Sequence, residues 1–195
     1  MRTKRITVFA SGSGSNFKTL HQSVLNGEIP ASITALISDN PKAGAVTYAR
    51  SQNIRTHLLL PSDFDESAAY TQKLESILSL ENPDLVVLAG YLKKIPDHIV
   101  AKFSGKIINI HPSLLPKYGG AGWYGMRVHR AVIENGEQES GCTIHYVNEI
   151  YDEGPIIAQS HVTVNPDDTP ESLAKKVQQE EHKLYPRVVR QLLEE

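Results

Sequence analysis

The sequence predicts an α/β fold: a Rossmann-like, doubly wound, mostly parallel sheet with an antiparallel C-terminal addition and a long C-terminal helix. Up to residue 110, short β-branched runs alternate with longer amphipathic stretches, which is the pattern of repeated βα units. The run 85–88 is apolar throughout, as expected for a strand covered on both faces. After residue 120, two strand-like runs are joined by the turn YDEGP, which predicts an antiparallel pair.

The predicted strands are short runs rich in branched side chains, and helical stretches separate the first five of them. Strands connected through a helix are expected to run parallel, whereas two strands joined by a turn run antiparallel. The predicted strand ranges are 6–10, 33–37, 57–60, 85–88, 106–110, 143–147 and 156–164. We expect residues 1–195 to form a single domain, because a chain of this length can bury one sizeable core.

The predicted helices follow apolar residues at helical spacing. The first begins near Phe17, after a Ser/Gly loop, and the last begins at Thr169, an N-cap residue that Pro170 follows at the first helical position. Leu173, Val177 and Leu184 lie on one face of this last helix. The helices between them are predicted over 43–50, 67–80, 98–103 and 124–134.

Composition and charge favour small-molecule substrates. A formal net charge of -2 and a sequence pI near 6.4 lack the basic footprint of a nucleic-acid-binding protein or a membrane-surface protein. The chain shows neither a signal peptide nor an apolar run of about 18 residues, so we expect a cytoplasmic protein. The single cysteine, Cys142, fits a reducing compartment. The sequence does not indicate the oligomeric state.

Metal binding is not expected from the histidine pattern. The chain contains no HExxH motif, and no histidine pair combines with an acidic residue at metal-ligand spacing. Solvated faces or packed edges of helices are the simpler explanation for the four histidines on predicted helices, which are His21, His98, His129 and His182.

The loop SGSGSN, residues 11–16, predicts an anion site between the first strand and the first helix. Backbone N–H groups and the positive end of a helix favour a phosphate at such a position. A dinucleotide fingerprint would need glycine in place of Phe17, and a P-loop would need lysine followed by serine or threonine, so both signatures are absent. The alternative is an ordinary turn in which Ser15 or Asn16 caps the helix.

The stretch NIHPSLLPKYGG, residues 109–120, predicts a pair of hydrogen-bond donors at a strand end. Asn109 and His111 share one face of the strand, and Pro112 and Pro116 stiffen the loop that follows. Ligands of open α/β sheets bind beyond the carboxyl ends of the strands. An amide and an imidazolium there could stabilise the oxyanion of an acyl transfer. Alternatively, both side chains satisfy neighbouring backbone groups.

A carboxylate could complete this constellation, while the nucleophile should come from the substrate. No serine or cysteine lies in a nucleophile-elbow context, and Cys142 is most simply a packed thiol. Asp152, in the turn YDEGP, is a candidate partner that would keep His111 charged at neutral pH. The alternative is that Asp152 only forms the turn.

Six motifs resemble those of the glycinamide ribonucleotide formyltransferase (phosphoribosylglycinamide formyltransferase) family, the folate-dependent enzymes of purine synthesis. They are SGSGSN, LVVLAGYL at 85–92, INIHPSLLPKY at 108–118, SGCTIHYV at 140–147, DEGPII at 152–157 and EEHKLYP at 180–186. The resemblance spans residues 4–193 and implies one formyltransferase domain. It implies transfer of the formyl group of 10-formyltetrahydrofolate, without a metal, to the amine of glycinamide ribonucleotide, by direct attack through a tetrahedral intermediate.

The resemblance also implies roles for individual residues. The catalytic trio would be Asn109, His111 and Asp152. The nucleotide phosphate would bind at Gly14, Ser15 and Asn16, and the ribose and glycinamide at Gln178, Gln179, Glu180 and Glu181. The folate would lie beside Leu92, Lys93, Lys94, Ile95, Asn109, Asn148, Glu149, Ile150, Tyr151 and Asp152.

The chain departs from the family pattern at two places. Ser67 stands where members often have an arginine that meets the folate tail. Extra residues follow Pro116, and Trp123 and Met126 there either reshape the mouth of the site or only pack. Two other functions stay open: a methionyl-tRNA formyltransferase or formyltetrahydrofolate hydrolase, which share the trio on longer chains, and a nucleotide-binding module without catalysis.

Overall fold

The computed structural model describes residues 2–195, in which seven strands form one sheet with the order β3-β2-β1-β4-β5-β6-β7. The first five strands are parallel, and β6 and β7 are antiparallel to their neighbours. The predicted fold class is therefore confirmed. The strands are β1 (Lys4–Phe9), β2 (Ala31–Ser38), β3 (Arg55–Leu58), β4 (Leu85–Leu88), β5 (Ile107–His111), β6 (Glu139–Tyr146) and β7 (Ile156–Thr163).

Helices cover both faces of the sheet. Within residues 2–195 they are α1 (Ser15–Leu25), α2 (Gly44–Ser51), α3 (Ser67–Glu81), α4 (Asp97–Lys102), α5 (Met126–Glu134) and α6 (Pro170–Glu194). Val8 of β1 packs in a cluster with side chains of α1, α2, α5 and α6, whereas its neighbour Phe9 packs with side chains of α3 and α4. Successive strand residues point to opposite faces, so one strand contributes to both cores. None of the helices among the described residues is long and apolar enough to cross a membrane.

Four strands begin earlier than the sequence predicts: β1, β2 and β3 by two residues each, and β6 by four. β6 starts at Glu139 instead of residue 143, because Ser140, Gly141 and Cys142 are all buried in the ladder with β7. Serine and glycine are depleted in strands, so the pattern hides this part of the strand. Glycine is needed at position 141, because a Cβ atom there would lie 2.0 Å from the backbone oxygen of Ser160.

The last helix begins where the sequence predicts. Thr169 accepts a hydrogen bond from the Ser172 backbone N–H, and the Ser172 hydroxyl accepts one from the Thr169 N–H, which forms a capping box. The helix packs against β7, β6, α5 and α1. The buried hydroxyl of Tyr185 donates to the Leu88 carbonyl at 2.8 Å. This contact ties α6 to the end of β4, so that one face of the helix borders the crevice described below.

The strand order creates that crevice. From β1 the chain proceeds to β2 and β3 on one side of the sheet and to β4 and β5 on the other. The loops that leave β1 and β4 therefore diverge at their carboxyl ends, which is where open α/β sheets bind ligands. Both SGSGSN and NIHPSLLPKYGG leave strands at this edge, as predicted.

Candidate active site

A cavity of about 540 Å³ lies at this edge and collects most of the predicted site residues. The predicted residues that line it are Gly14, Ser15, Asn16, Leu92, Lys93, Lys94, Ile95, Asn109, His111, Asn148, Ile150, Tyr151, Asp152, Gln178 and Glu181. Three predicted residues, Glu149, Gln179 and Glu180, are not part of its lining. Gln179 is exposed, and the Glu180 carboxylate is engaged by Ser160 at 2.7 Å and Lys183 at 2.7 Å.

The trio Asn109, His111 and Asp152 comes together in the middle of this cavity wall. Asn109 Nδ2 donates to Asp152 Oδ1 at 3.4 Å, and His111 Nδ1 lies 3.4 Å from Asp152 Oδ2. His111 Nε2 donates to the Tyr118 carbonyl at 2.7 Å. The Gly120 N–H donates to Asp152 Oδ2 at 2.9 Å. Asp152 therefore contacts both side chains of the strand end, and it does more than form a turn.

Burial and charge oppose each other at this trio. Burial raises the pKa of Asp152, but the contact with His145, the charge of His111 and the hydrogen bond from Gly120 outweigh it and hold that pKa below its ordinary value. For His111, burial lowers the pKa, and the nearby Asp152 carboxylate raises it by less. The expected interaction with Asp152 is present. However, the net direction for His111 is toward the neutral ring, which differs from the expectation that Asp152 keeps it charged.

His145 lies beside the trio, although no role for it is predicted from the sequence. His145 is 2% exposed, and its Nε2 lies 3.2 Å from Asn109 Nδ2 and 3.5 Å from Asp152 Oδ1. It faces Asn109 directly in the β5–β6 ladder. The motif SGCTIHYV carried the resemblance, but only the strand register shows which of its residues faces Asn109.

The loop that carries Asp152 depends on close backbone packing. Asp152 has φ 58°, in the left-handed region that aspartate tolerates better than most residues. Two residues later, a Cβ atom on Gly154 would lie 1.7 Å from the Tyr146 carbonyl oxygen. Only glycine fits there, so the loop can follow the end of β6 and return Asp152 to the cavity.

A buried hydroxyl fixes the loop after His111. Thr143 Oγ1 donates to the Ser113 carbonyl at 2.7 Å and accepts from the Leu115 N–H at 3.0 Å. Gln159 Nε2 donates to the Leu115 carbonyl at 3.1 Å. Side chains of β6 and β7 therefore add to the stiffness that the sequence ascribed to Pro112 and Pro116.

The predicted anion site consists of backbone groups. Gly14 is the N-cap of α1, with φ 73°, and no side chain caps this helix end. The alternative in which Ser15 or Asn16 caps the helix is therefore wrong. A Cβ atom at position 14 would lie 2.7 Å from the Ala45 Cβ atom, so glycine allows α2 to approach the loop. The first residues of α1 line the cavity, and no side chain caps their N–H groups, as an anion site requires.

A buried acid from α6 closes this end of the cavity. Glu181 is 8% exposed, and Asn16 Nδ2 donates to its Oε2 atom at 2.9 Å. Burial raises the pKa of Glu181 to about 7, and the hydrogen bond from Asn16 only partly offsets this. The carboxyl group therefore changes its charge near neutral pH at a position that lines the cavity.

We expect Glu181→Gln to stabilise the protein at pH 8 by up to roughly 3 kcal/mol, with the gain disappearing toward pH 4. The raised pKa of Glu181 means that the folded protein holds this proton more tightly than the unfolded chain, so the wild type loses stability as pH rises from about 4.5 to about 7. Glutamine does not titrate. Urea unfolding at both pH values measures the difference.

The matched control for this prediction is Glu180→Gln on the same helix. Glu180 lies outside the cavity, and hydrogen bonds to Lys183 and Ser160 lower its pKa. Its substitution should therefore not stabilise the protein at pH 8. If Glu181→Gln changed the free energy of unfolding by the same amount at pH 8 and at pH 4, the effect could not come from a buried charge on Glu181.

The prediction that the helix histidines lie on solvated faces or packed edges has to be corrected for His129. It is 5% exposed and lines the cavity, and burial together with the charge of His111 lowers its pKa to about 4. His21 is also buried, against Tyr48, whereas His98 is exposed beside Glu75. Within residues 2–195, no group of three or more His, Cys, Asp or Glu side chains could hold a metal ion.

The segment after Pro116, which the sequence predicts to be an insertion, contributes to the cavity wall. Trp123 and Met126 both line the cavity, and the Trp123 ring packs edge-on against Tyr118 with ring centroids 5.4 Å apart. Trp123 thus both packs and shapes the mouth of the site. Ser67 begins α3 and is not part of the cavity lining.

Comparison with known proteins places the chain in a family. The model of the formyl transferase family matches residues 4–189. The chain is 45% identical to the chloroplastic phosphoribosylglycinamide formyltransferase of Arabidopsis thaliana, over 100% of this chain and 67% of that protein. It is 36% identical to the phosphoribosylglycinamide formyltransferase of Escherichia coli K12, over 94% of this chain and 84% of that protein.

Solved structures agree with these relatives. The crystal structure of phosphoribosylglycinamide formyltransferase from Bacillus halodurans superposes with a TM-score of 0.91 at 38% identity, covering 97% of this chain and 95% of that one. A formyltetrahydrofolate deformylase from Pseudomonas syringae superposes with a TM-score of 0.87 at 25% identity, over 99% of this chain and 62% of that one. The chain therefore belongs to the formyl transferase family, and within it to the phosphoribosylglycinamide formyltransferases.

Proposed function

We propose that this formyltransferase transfers the formyl group of 10-formyltetrahydrofolate to the amine of glycinamide ribonucleotide, a one-carbon step of de novo purine biosynthesis. The proposal treats residues 1–195 as a single formyltransferase domain. The observation that carries it is the convergence of Asn109, His111 and Asp152 within 3.4 Å, between an anion site and a partly apolar cleft. A cavity of about 540 Å³ is within the usual range for small-molecule sites.

The acceptor nucleotide would lie between α1 and α6. Its phosphate would bind the N–H groups of Gly14, Ser15 and Asn16 at the positive end of α1. Gln178 and Glu181 line the same end of the cavity, so they are the candidates for ribose and glycinamide contacts. We propose no ribose or glycinamide contact for Gln179 or Glu180, because neither residue lines the cavity and the Glu180 carboxylate is bound to Ser160.

The folate donor would lie at the opposite end. Leu92, Lys93, Lys94 and Ile95 follow β4 there and face the segment that contains Asn148, Ile150, Tyr151 and Asp152. Ile95 is buried, whereas Leu92, Ile150 and Tyr151 are exposed apolar or aromatic side chains that a planar ring could cover. We propose no folate contact for Glu149, since it does not line the cavity.

The transfer step uses the strand-end donors. The acceptor nitrogen attacks the formyl carbon and forms the new C–N bond, while the carbonyl electron pair moves to the formyl oxygen. Collapse of this intermediate breaks the bond to the folate nitrogen, which gains a proton as the acceptor nitrogen loses one. Asn109 and His111 would stabilise the oxyanion. To do so, His111 must exchange its bond to Tyr118 or its contact with Asp152 for the substrate oxygen.

A second candidate is hydrolysis of the same donor by water. The structural likeness to the Pseudomonas deformylase favours it, because the trio would stabilise the oxyanion formed by attack of water equally well. Binding of the acceptor distinguishes the two functions. Only a transferase needs the anion site at α1 together with Gln178 and Glu181.

The test follows deformylation of 10-formyltetrahydrofolate in three parallel reactions: with glycinamide ribonucleotide, with water alone, and with charged initiator tRNA. Turnover with glycinamide ribonucleotide alone supports the proposal. Equal turnover in water would favour a hydrolase, and turnover only with tRNA would favour a tRNA formyltransferase. No turnover in any reaction would favour a binding module.

The cytoplasmic location stays a prediction, and the Arabidopsis relative is described as chloroplastic.

A further inference from the structure

A buried histidine outside the predicted trio is bonded to the proposed oxyanion donor. His145 Nδ1 lies 2.8 Å from the Tyr146 carbonyl, and His145 Nε2 lies 3.2 Å from Asn109 Nδ2. Asp152 Oδ1 is 3.5 Å from the same Nε2 atom. His145 and Asn109 are direct partners in the β5–β6 ladder, so the two side chains stay side by side.

The hydrogen-bond partners determine where His145 carries its hydrogen. A carbonyl only accepts, so Nδ1 is the protonated nitrogen, and a neutral ring then has a lone pair on Nε2. That lone pair accepts one hydrogen of the Asn109 amide, and Asp152 Oδ1 accepts the other at 3.4 Å. Both amide hydrogens are used within the protein. The amide oxygen of Asn109 is then the group left for the cavity.

This orientation is the wrong one for stabilising an oxyanion. An amide oxygen repels a negative oxygen, so Asn109 can act as a donor only if the amide turns by half a rotation. The turn brings the amide oxygen next to His145 Nε2 and Asp152 Oδ1. Two acceptors in contact are unfavourable unless a hydrogen lies between them. A hydrogen on His145 Nε2 would supply it, while Nδ1 keeps its bond to Tyr146.

We infer that His145 is a positioning residue, and that a hydrogen on its Nε2 atom selects the orientation in which the Asn109 amide donates to the reacting oxygen. The inference rests on the proposed function, since it concerns the formyl oxygen of that reaction. The charged and titratable groups that face His145 are Asp152 from the following loop and His111 from β5.

A purely structural role for His145 makes a different prediction. If the ring only filled the space between β5 and β6, its replacement would lower activity by the same factor whether or not Asn109 is present. If it acts through Asn109, its effect should vanish when the amide is gone. The two cases can therefore be separated by a double-mutant cycle.

The cycle compares wild type, His145→Leu, Asn109→Ala and the double variant in formyl transfer to glycinamide ribonucleotide. We expect His145→Leu to lower kcat at least about 10-fold, with KM for the nucleotide changed by less than about threefold. In the Asn109→Ala background, the same substitution should change kcat by less than about threefold. Equal factors in both backgrounds would overturn the inference. High turnover of Asn109→Ala itself would instead refute the proposed catalytic role of Asn109.

The conservative variant His145→Gln gives a second readout. Its amide can donate to the Asn109 oxygen near the place of Nε2 and does not titrate, so we expect it to recover part of the kcat lost in His145→Leu. A glutamine variant as slow as the leucine variant would contradict the inference.

If His145→Leu does not fold, as judged by circular dichroism, ¹⁵N NMR of the wild-type imidazoles replaces the cycle. We expect the His145 signals, assigned by their loss in His145→Gln, to show hydrogen on Nδ1 alone in the free protein. Saturation with the nucleotide and an unreactive folate analogue should add hydrogen at Nε2. A bare Nε2 in that complex would overturn the inference.

Discussion

Replacing Asn109 with alanine should lower kcat by about 10²–10³-fold, the usual effect of removing one oxyanion donor. His111→Ala should have a loss of similar size, because the imidazole is the second donor of the strand end. Neither side chain belongs to the proposed anion site at α1, so the nucleotide should still bind both variants. Steady-state kinetics gives kcat, and isothermal titration calorimetry gives the affinity for glycinamide ribonucleotide.

Asn26→Ala is a suitable control for these two variants. Asn26 is exposed at the end of α1, and its amide donates only to Glu28. Its substitution should leave kcat within about twofold of the wild type, as for most exposed sites. If Asn109→Ala and His111→Ala both kept more than about a tenth of the wild-type turnover, the oxyanion role of the pair would be refuted.

Asp152→Asn should lower kcat at neutral pH by up to roughly 10²–10³-fold, the effect of losing one oxyanion donor, because Asp152 supports the protonated form of His111. The Asp152 carboxylate raises the pKa of His111 against the effect of burial, so removing its charge lowers that pKa further. Less of the imidazole is then protonated at a given pH. We therefore expect the variant to regain part of its activity as pH falls from 8 to 6, which a pH profile of kcat measures.

The same substitution should destabilise the fold except at low pH. The pKa of Asp152 is depressed below its ordinary value of 3.8, so its charge contributes stability above that pH, and this contribution is lost as pH falls through the folded pKa. In urea unfolding, Asp152→Asn should lose more stability at pH 7 than the control Asp167→Asn, an exposed aspartate, and this difference should shrink as the pH falls below 3.8. For the activity of the same variant, a kcat that does not change between pH 8 and pH 6 would contradict the effect of the Asp152 charge on the pKa of His111.

Local patterns in the sequence were sufficient for most of the fold. A continuous apolar run identified β4, and the Thr169–Pro170 pair gave the start of α6, because both signals depend on neighbouring residues. The start of β6 was missed, since Ser140 and Gly141 lack strand propensity and are held by the ladder with β7. There, pairing with a distant strand overrides local preference.

The candidate site likewise has one part that the local sequence predicts and another part that depends on tertiary packing. The sequence by itself determined the chemical groups: the donors Asn109 and His111, the carboxylate of Asp152, and the glycine-rich turn before α1. Each of these groups lies in a short sequence motif, and the neighbouring residues determine its local backbone conformation. A sequence motif is therefore enough to identify it.

Only the tertiary structure decided how those groups are paired and charged. It brings Glu181 against Asn16, 165 residues away, and His145 against Asn109. It also gives the direction of the pKa of His111 and of Glu181, which burial moves in opposite directions. Burial penalises the charged form of each group, and the degree of burial depends on every element packed around the cavity. No local pattern in the sequence contains that information.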